Sequence, residues 1–178
     1  MANTTFDGPV RSRNGFQSIG PGAVQANTFA TNMTVATNAG RLMLMDPAGT
    51  PTAITLPSII STGGSNNAGP GRDPNNPNTI GTTFEILFTD EYTGTIQTAN
   101  TADKFVGSIM IGVDNGAKKA FVPAAANNEL NLNGEAGTAT TGGLVGSRIK
   151  FTAVAANLYM VEGLLIGAGT VATPFDTQ

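Results

Sequence analysis

Phe84-Glu85-Ile86-Leu87-Phe88-Thr89 places a large apolar side chain at every second position. Successive side chains of a strand point to opposite faces, so Phe84, Ile86 and Phe88 share one face and Glu85, Leu87 and Thr89 the other. A helix would scatter the same residues around its circumference. The stretch predicts a half-buried strand, and the rest of the chain repeats its pattern. Ile149, Phe151 and Ala153 alternate with Arg148, Lys150 and Thr152, and Ala155-Ala156-Asn157 predicts a turn into a strand over 158–162 that 164–168 extends. Further strands are predicted over 28–37 (Phe29, Met33, Val35), over 41–46, over 53–60 with Ile54 and Leu56 on one face, and over 93–98 around Ile96. Residues 105–113 precede Asp114-Asn115-Gly116, a hairpin signal because Asn and Gly tolerate positive φ. Residues 120–122 return from that turn, and Leu130 and Leu132 alternate with asparagines.

Strands recurring about every 8–14 residues, separated by Thr, Gly and Asn, predict an all-β fold. The expected form is an antiparallel β-sandwich or barrel, jelly-roll-like. No window of twelve residues keeps a helical stripe, so helix is expected in short pieces at most, over 101–104 and 123–127. No internal repeat marks a solenoid. Residues 1–27 keep neither period and carry Gly8-Pro9 and Gly20-Pro21-Gly22, which predicts an extended N-terminal arm ahead of a single β domain over 28–178. Residues 61–83 and 134–146 are expected to be long ordered loops held by contact with a neighbouring subunit.

Composition narrows the chemistry. The 178 residues include no His, Cys or Trp, and charged residues make up 12%, about half the usual share. Without Cys there is no disulfide, thiol nucleophile or thiolate zinc site. Without His there is no Ser-His catalysis and no imidazole ligand. Residues 112–119, Gly-Val-Asp-Asn-Gly-Ala-Lys-Lys, lack the Gly-Lys-Ser or Gly-Lys-Thr ending of a phosphate loop and predict a hairpin with two solvated lysines. Asp90-Glu91 predict a solvated strand end beside Tyr92, and Asp46, Asp73, Asp103 and Asp114 predict turns in which carboxylates bond nearby backbone donors. No Asp-x-Asp-x-Asp calcium loop occurs. The expectation is a chain that is not an enzyme, with no cofactor and no metal.

Partners follow from charge and apolar placement. Residues 1–45 hold Arg11, Arg13 and Arg41 against Asp7, while the rest of the chain is net acidic and the whole carries −3. A dense basic stripe with stacking aromatics is missing, so no nucleic acid is expected. No signal-peptide pattern opens the sequence and no apolar run reaches about 18 residues, so no membrane is expected either. With no Trp and two Tyr, a carbohydrate platform is hard to build. An arm and body of opposite sign suit docking on a partner surface. Phe6, Val10, Phe16 and Ile19 would be its apolar anchors, and Arg11 and Arg13 would meet an acidic surface.

Two segments carry a resemblance. Phe6-Asp7-Gly8-Pro9-Val10-Arg11-Ser12-Arg13-Asn14-Gly15-Phe16 resembles the F-x-G-P-V-R-S-x-x-G-F opening of small structural proteins of tailed phages, notably those infecting cyanobacteria and other marine bacteria. Gly146-Ser147-Arg148-Ile149-Lys150-Phe151, Tyr159-Met160-Val161-Glu162-Gly163 and Gly169 to Phe175 are similar to the closing hairpin and tail of the same proteins. The resemblance implies a virion protein at the capsid surface, a decoration or cement protein bound to the major capsid protein of the shell. Proteins of this kind are commonly trimers, and a homotrimer is the expected assembly. The alternative it leaves open is a tail, fibre or knob component whose residues 61–83 contact a receptor.

Overall fold

The computed structural model describes residues 24–27 (backbone), 32–45, 53–61, 79–114, 116 and 118–178. The elements are β1 (Val24–Asn27), α1 (Val35–Asn38), β2 (Leu42–Met45), β3 (Ala53–Thr55), β4 (Thr83–Phe88) and β5 (Gly94–Gln97). They continue with β6 (Lys104–Val113), β7 (Lys118–Phe121), β8 (Glu129–Leu132), β9 (Arg148–Ala155), β10 (Leu158–Gly167) and β11 (Phe175–Asp176). The fold is all-β. Among the described residues seven strands form one sheet in the order β1-β2-β4-β9-β10-β6-β7, and four form a second in the order β11-β8-β5-β3.

Both sheets are mixed, which corrects the antiparallel expectation. The β9–β10 hairpin and the β4–β9, β6–β7, β5–β8 and β8–β11 pairs are antiparallel. The β1–β2, β2–β4, β3–β5 and β6–β10 pairs are parallel. The cause is the path of the chain. From β2 to β5 it alternates between the sheets, so each return to a sheet runs in the direction of the previous visit. Parallel neighbours need such a crossover, and for β2–β4 and β3–β5 the other sheet supplies it in place of a helix. A jelly roll pairs its strands antiparallel, so these parallel pairs depart from that form.

Alternation places the core as the sequence predicts. Phe84, Ile86 and Phe88 on β4 and Ile149, Phe151 and Ala153 on β9 are buried, and so are Met43 and Met45 on β2. From the smaller sheet Ile54, Ile96, Leu130 and Leu132 join the same cluster, with Leu56 just beyond β3. Phe105 tilts against Phe151 at 5.6 Å between centroids, and Phe88 stacks on Tyr92 at 5.5 Å. Burying such side chains contributes roughly 1.5–3 kcal/mol each. The two tyrosines reach polar partners from inside the core: Tyr92 donates its hydroxyl to the Thr95 carbonyl at 2.9 Å and Tyr159 to that of Pro57 at 2.7 Å.

Two local expectations are corrected, and one loop finds support within the chain. Residues 35–37, expected at the end of a strand over 28–37, lie instead in the helical turn α1, because the Thr34 N–H donates to Asn38 Oδ1 at 2.8 Å and the Asn38 N–H returns to the Thr34 carbonyl. Residues 101–104 and 123–127 are turns and strand, not helix. Residues 134–146 are held by their own chain: the Tyr92 N–H donates to the Gly143 carbonyl, and Ala139 is buried. Gly143 has φ +114°, and a Cβ there would lie 2.4 Å from the Tyr92 carbonyl oxygen, so glycine permits the approach. The β9–β10 turn forms as expected, with Asn157 in the left-handed region at φ 58°.

Candidate functional site

Every strand of the larger sheet that buries one side chain turns the next outward. Register then assembles the outward set into rows. Leu44 lies beside Leu87, Leu87 beside Arg148, Arg148 beside Leu164, Leu164 beside Met110, and Met110 beside Ala120. The adjoining row runs from Leu42 through Glu85, Lys150 and Glu162 to Ser108. A third joins Thr83, Thr152, Met160 and Val106. Met110 is 48% exposed and Leu164 50%, and Val106, Val154 and Ile166 are exposed on the same side. A chain with free choice at such positions places Thr, Lys or Glu there, so apolar side chains on both sides of Arg148 are informative.

Charge at the centre of this face is internally cancelled. Arg148 pairs with Glu85 through both its Nε and its terminal nitrogen, and Lys150 Nζ stands 3.1 Å from Glu162. Exposed pairs of this kind add about 0–1 kcal/mol each, so their main effect is to leave the apolar row in neutral surroundings. Between them lies a groove of about 630 Å³ lined by Glu85, Leu87, Arg148, Lys150, Glu162 and Leu164. Lys104 on β6 and Lys118 on β7 stand outside the groove's lining and add positive charge.

The smaller sheet has the opposite character outward. Its register sets Ala53 beside Thr95, Thr95 beside Asn131, Thr55 beside Gln97, Gln97 beside Glu129, and Glu129 beside Asp176. Among the described residues no large apolar residue stands on this face. Glu129 titrates above the usual carboxylate range, first because it is partly buried and then because Asp176 faces it.

The residues read from the sequence as anchors, Phe6, Val10, Arg11, Arg13, Phe16 and Ile19, lie outside the described residues, as do 62–78 of the long loop. The strand β1 occupies the last four residues of the segment read as an arm and edges the larger sheet beside β2. Sequence reasoning missed the outward row, because Leu164-Leu165-Ile166 is apolar on both sides and period alone does not say which side is inward. Asp90 and Glu91 are exposed as expected. Asp103 is not the simple turn residue it was expected to be. It is wholly buried, and its Oδ2 accepts from the Ile59 N–H, 44 residues away. Burial pushes both tyrosine hydroxyls above their usual range, and the Asp103 charge adds to this at Tyr159, so both serve as hydrogen-bond donors.

Among the described residues no three His, Cys, Asp or Glu gather into a metal-binding group, and no helix is long and apolar enough to cross a membrane. No family model, curated protein or solved structure matches the chain.

Proposed function

We propose that this chain is a non-enzymatic structural protein of a phage virion, a decoration protein that binds and stabilises the head shell. Its two sheets are taken to pack face to face as a sandwich. The observation that carries the reading is the outward face of the larger sheet, where Leu44 and Leu87 on one side of Arg148 and Leu164 and Met110 on the other form an apolar surface crossed by ion pairs that cancel each other. Such a face loses little on leaving water and gains from covering its apolar area, which is what a docking surface requires. The Phe6–Phe16 resemblance supplies the kind of partner, the major capsid protein. The N-terminal arm, with Phe6, Val10, Arg11, Arg13, Phe16 and Ile19, is the second point of grip.

Removing residues 2–20 tests the arm: binding to undecorated heads should be lost while the β domain keeps its melting temperature. Undiminished binding by the truncated protein overturns that part. Imaging of particles by electron cryomicroscopy tests the location. Copies spread over the shell faces support decoration, whereas copies confined to the tail would establish the fibre or knob alternative.

A further inference from the structure

β7 is the last strand of the larger sheet and pairs on one side alone, with β6. Among the described residues no backbone hydrogen bond from outside that ladder uses the N–H or C=O groups of 118–121. An open edge of this kind is a template for another strand, above all the same strand of a second copy. The edges of the smaller sheet are closed in other ways. At β3 the Met33 N–H donates to the Thr55 carbonyl at 2.9 Å, and Asn32 bridges to the same residue. β11 is two residues long and follows Pro174, which has no N–H to offer.

Register places the two lysines of β7 on different faces. Lys118 lies beside Gly112 on the outward face, with Met110 and Ala120. Lys119 lies beside Ile111, and Phe121 beside Ile109. Both isoleucines are wholly buried and Phe121 is nearly so, which sets Lys119 on the core side of the sheet. Folding by itself favours an apolar residue there, as it has at Phe121. Lys119 is instead exposed, with its Nζ 5.1 Å from the centre of the Phe121 ring. Its stem can cover the rim of the core while the ammonium stays in water at the open edge. Neither lysine has an ion-pair partner among the described residues.

We propose that Lys119 guards this edge: it bars a second copy of the chain from adding its own β7 here and joining two larger sheets into one. Pairing two β7 strands antiparallel about a two-fold axis brings four lysines together. With the axis at residue 119, Lys119 stands directly against the same residue of the other copy. Like charges directly opposite across strands oppose pairing. Lys118 would keep its ammonium in solvent on the outward face. Lys119 would be enclosed on the core side, where the bodies of the two molecules meet, and a charge that loses water without gaining a partner is costly. This guard acts whether or not the outward face binds a shell.

The test compares full-length wild type with Lys119→Val, Lys119→Thr, Lys119→Arg and Lys118→Val. Sedimentation velocity is run over a range of concentrations, and hydrogen exchange of residues 118–121 is read on the same samples. Lys119→Val should self-associate at least roughly tenfold more tightly than wild type, with exchange at 118–121 slowing as concentration rises. Lys119→Thr is neutral and suits a strand without adding a large apolar side chain. It should show the same change to a lesser degree, and it supplies the readout if the valine variant precipitates. Lys119→Arg should behave as wild type. Lys118→Val removes an equal charge from the outward face and should gain less. The proposal is overturned by unchanged sedimentation of a folded Lys119→Val or Lys119→Thr protein, or by association that leaves exchange at 118–121 untouched. An equal gain in Lys118→Val overturns it too, as does a wild type whose exchange at 118–121 already slows with concentration.

Discussion

Leu164 and Ile166 on the outward side of β10 are exposed, whereas the outward side of β8 carries Glu129 and Asn131. Both strands alternate faithfully, and both bury their inward leucines, Leu165 on one and Leu130 and Leu132 on the other. What differs is the second face. The larger sheet presents apolar rows crossed by neutralised charges; the smaller presents Thr, Gln, Asn and two carboxylates side by side. Folding alone asks for one apolar face per sheet, and the smaller sheet stops there. The surplus on the larger sheet is a feature that folding does not explain, and it is what the proposed docking would use.

The sharpest internal contrast is between neighbours on β10. Leu165→Ala empties a fully buried site and should cost about 2–5 kcal/mol in denaturant unfolding. Leu164→Ala should stay within about 0.5 kcal/mol, because its side chain is half exposed in the free protein. A cost at Leu164 comparable to that at Leu165 would mean the outward row already has an intramolecular cover, and the comparison would break.

Next in size is the support under the larger sheet's rim. Gly143→Ala forces a Cβ toward the Tyr92 carbonyl at positive φ and should lower stability by more than about 1 kcal/mol. Gly137→Ala has open space around it but the same left-handed backbone, so it should cost less. Equal melting temperatures for the two would separate residues 134–146 from the packing of Tyr92.

On the smaller sheet the facing carboxylates are a liability. The fold raises the pKa of Glu129, so it favours the protonated form: folding gains stability as pH falls through that raised value and loses it as pH rises. Glu129→Gln should therefore stabilise at neutral pH, by about 0.2–1 kcal/mol for relief of a like-charge pair across strands. The gain should vanish at pH below the ordinary carboxylate range. Thermal melts at several pH values check both limits.

The smallest effect belongs to the ion pairs of the larger sheet. Lys150→Ala should change stability by about 0–1 kcal/mol, less at high salt, since the pair with Glu162 is half exposed. A larger effect would give these charges a structural role and weaken the docking account.

Much of the fold was legible because alternation is local. Phe84, Ile86 and Phe88 announce both a strand and its buried face, and Asn157 announces its turn. Strand direction was not legible, because period two is the same in parallel and antiparallel pairs; only the chain's passage from sheet to sheet decides it. The turn α1 was missed for a different reason. Thr34 before Val35 and Gly40 at φ +71° are start and stop signals, but the Thr-rich stretch around them has the composition of a strand. The apolar row was legible as residues and not as a surface, since Leu44, Leu87, Leu164 and Met110 come from four separate strands. Asp103 was read from its turn, and its partner Ile59 lies too far along the chain for spacing to reveal.

The central claim is that the larger sheet's outward face binds the shell. It is tested most directly by sedimenting the full chain with undecorated heads and comparing wild type with Met110→Glu/Leu164→Glu. The double variant should keep its melting temperature and lose roughly a hundredfold in affinity, as expected for two central contacts. A matched variant on the other sheet, Thr95→Glu/Asn131→Glu, should bind like wild type. Wild-type binding by a folded Met110→Glu/Leu164→Glu protein would contradict the account.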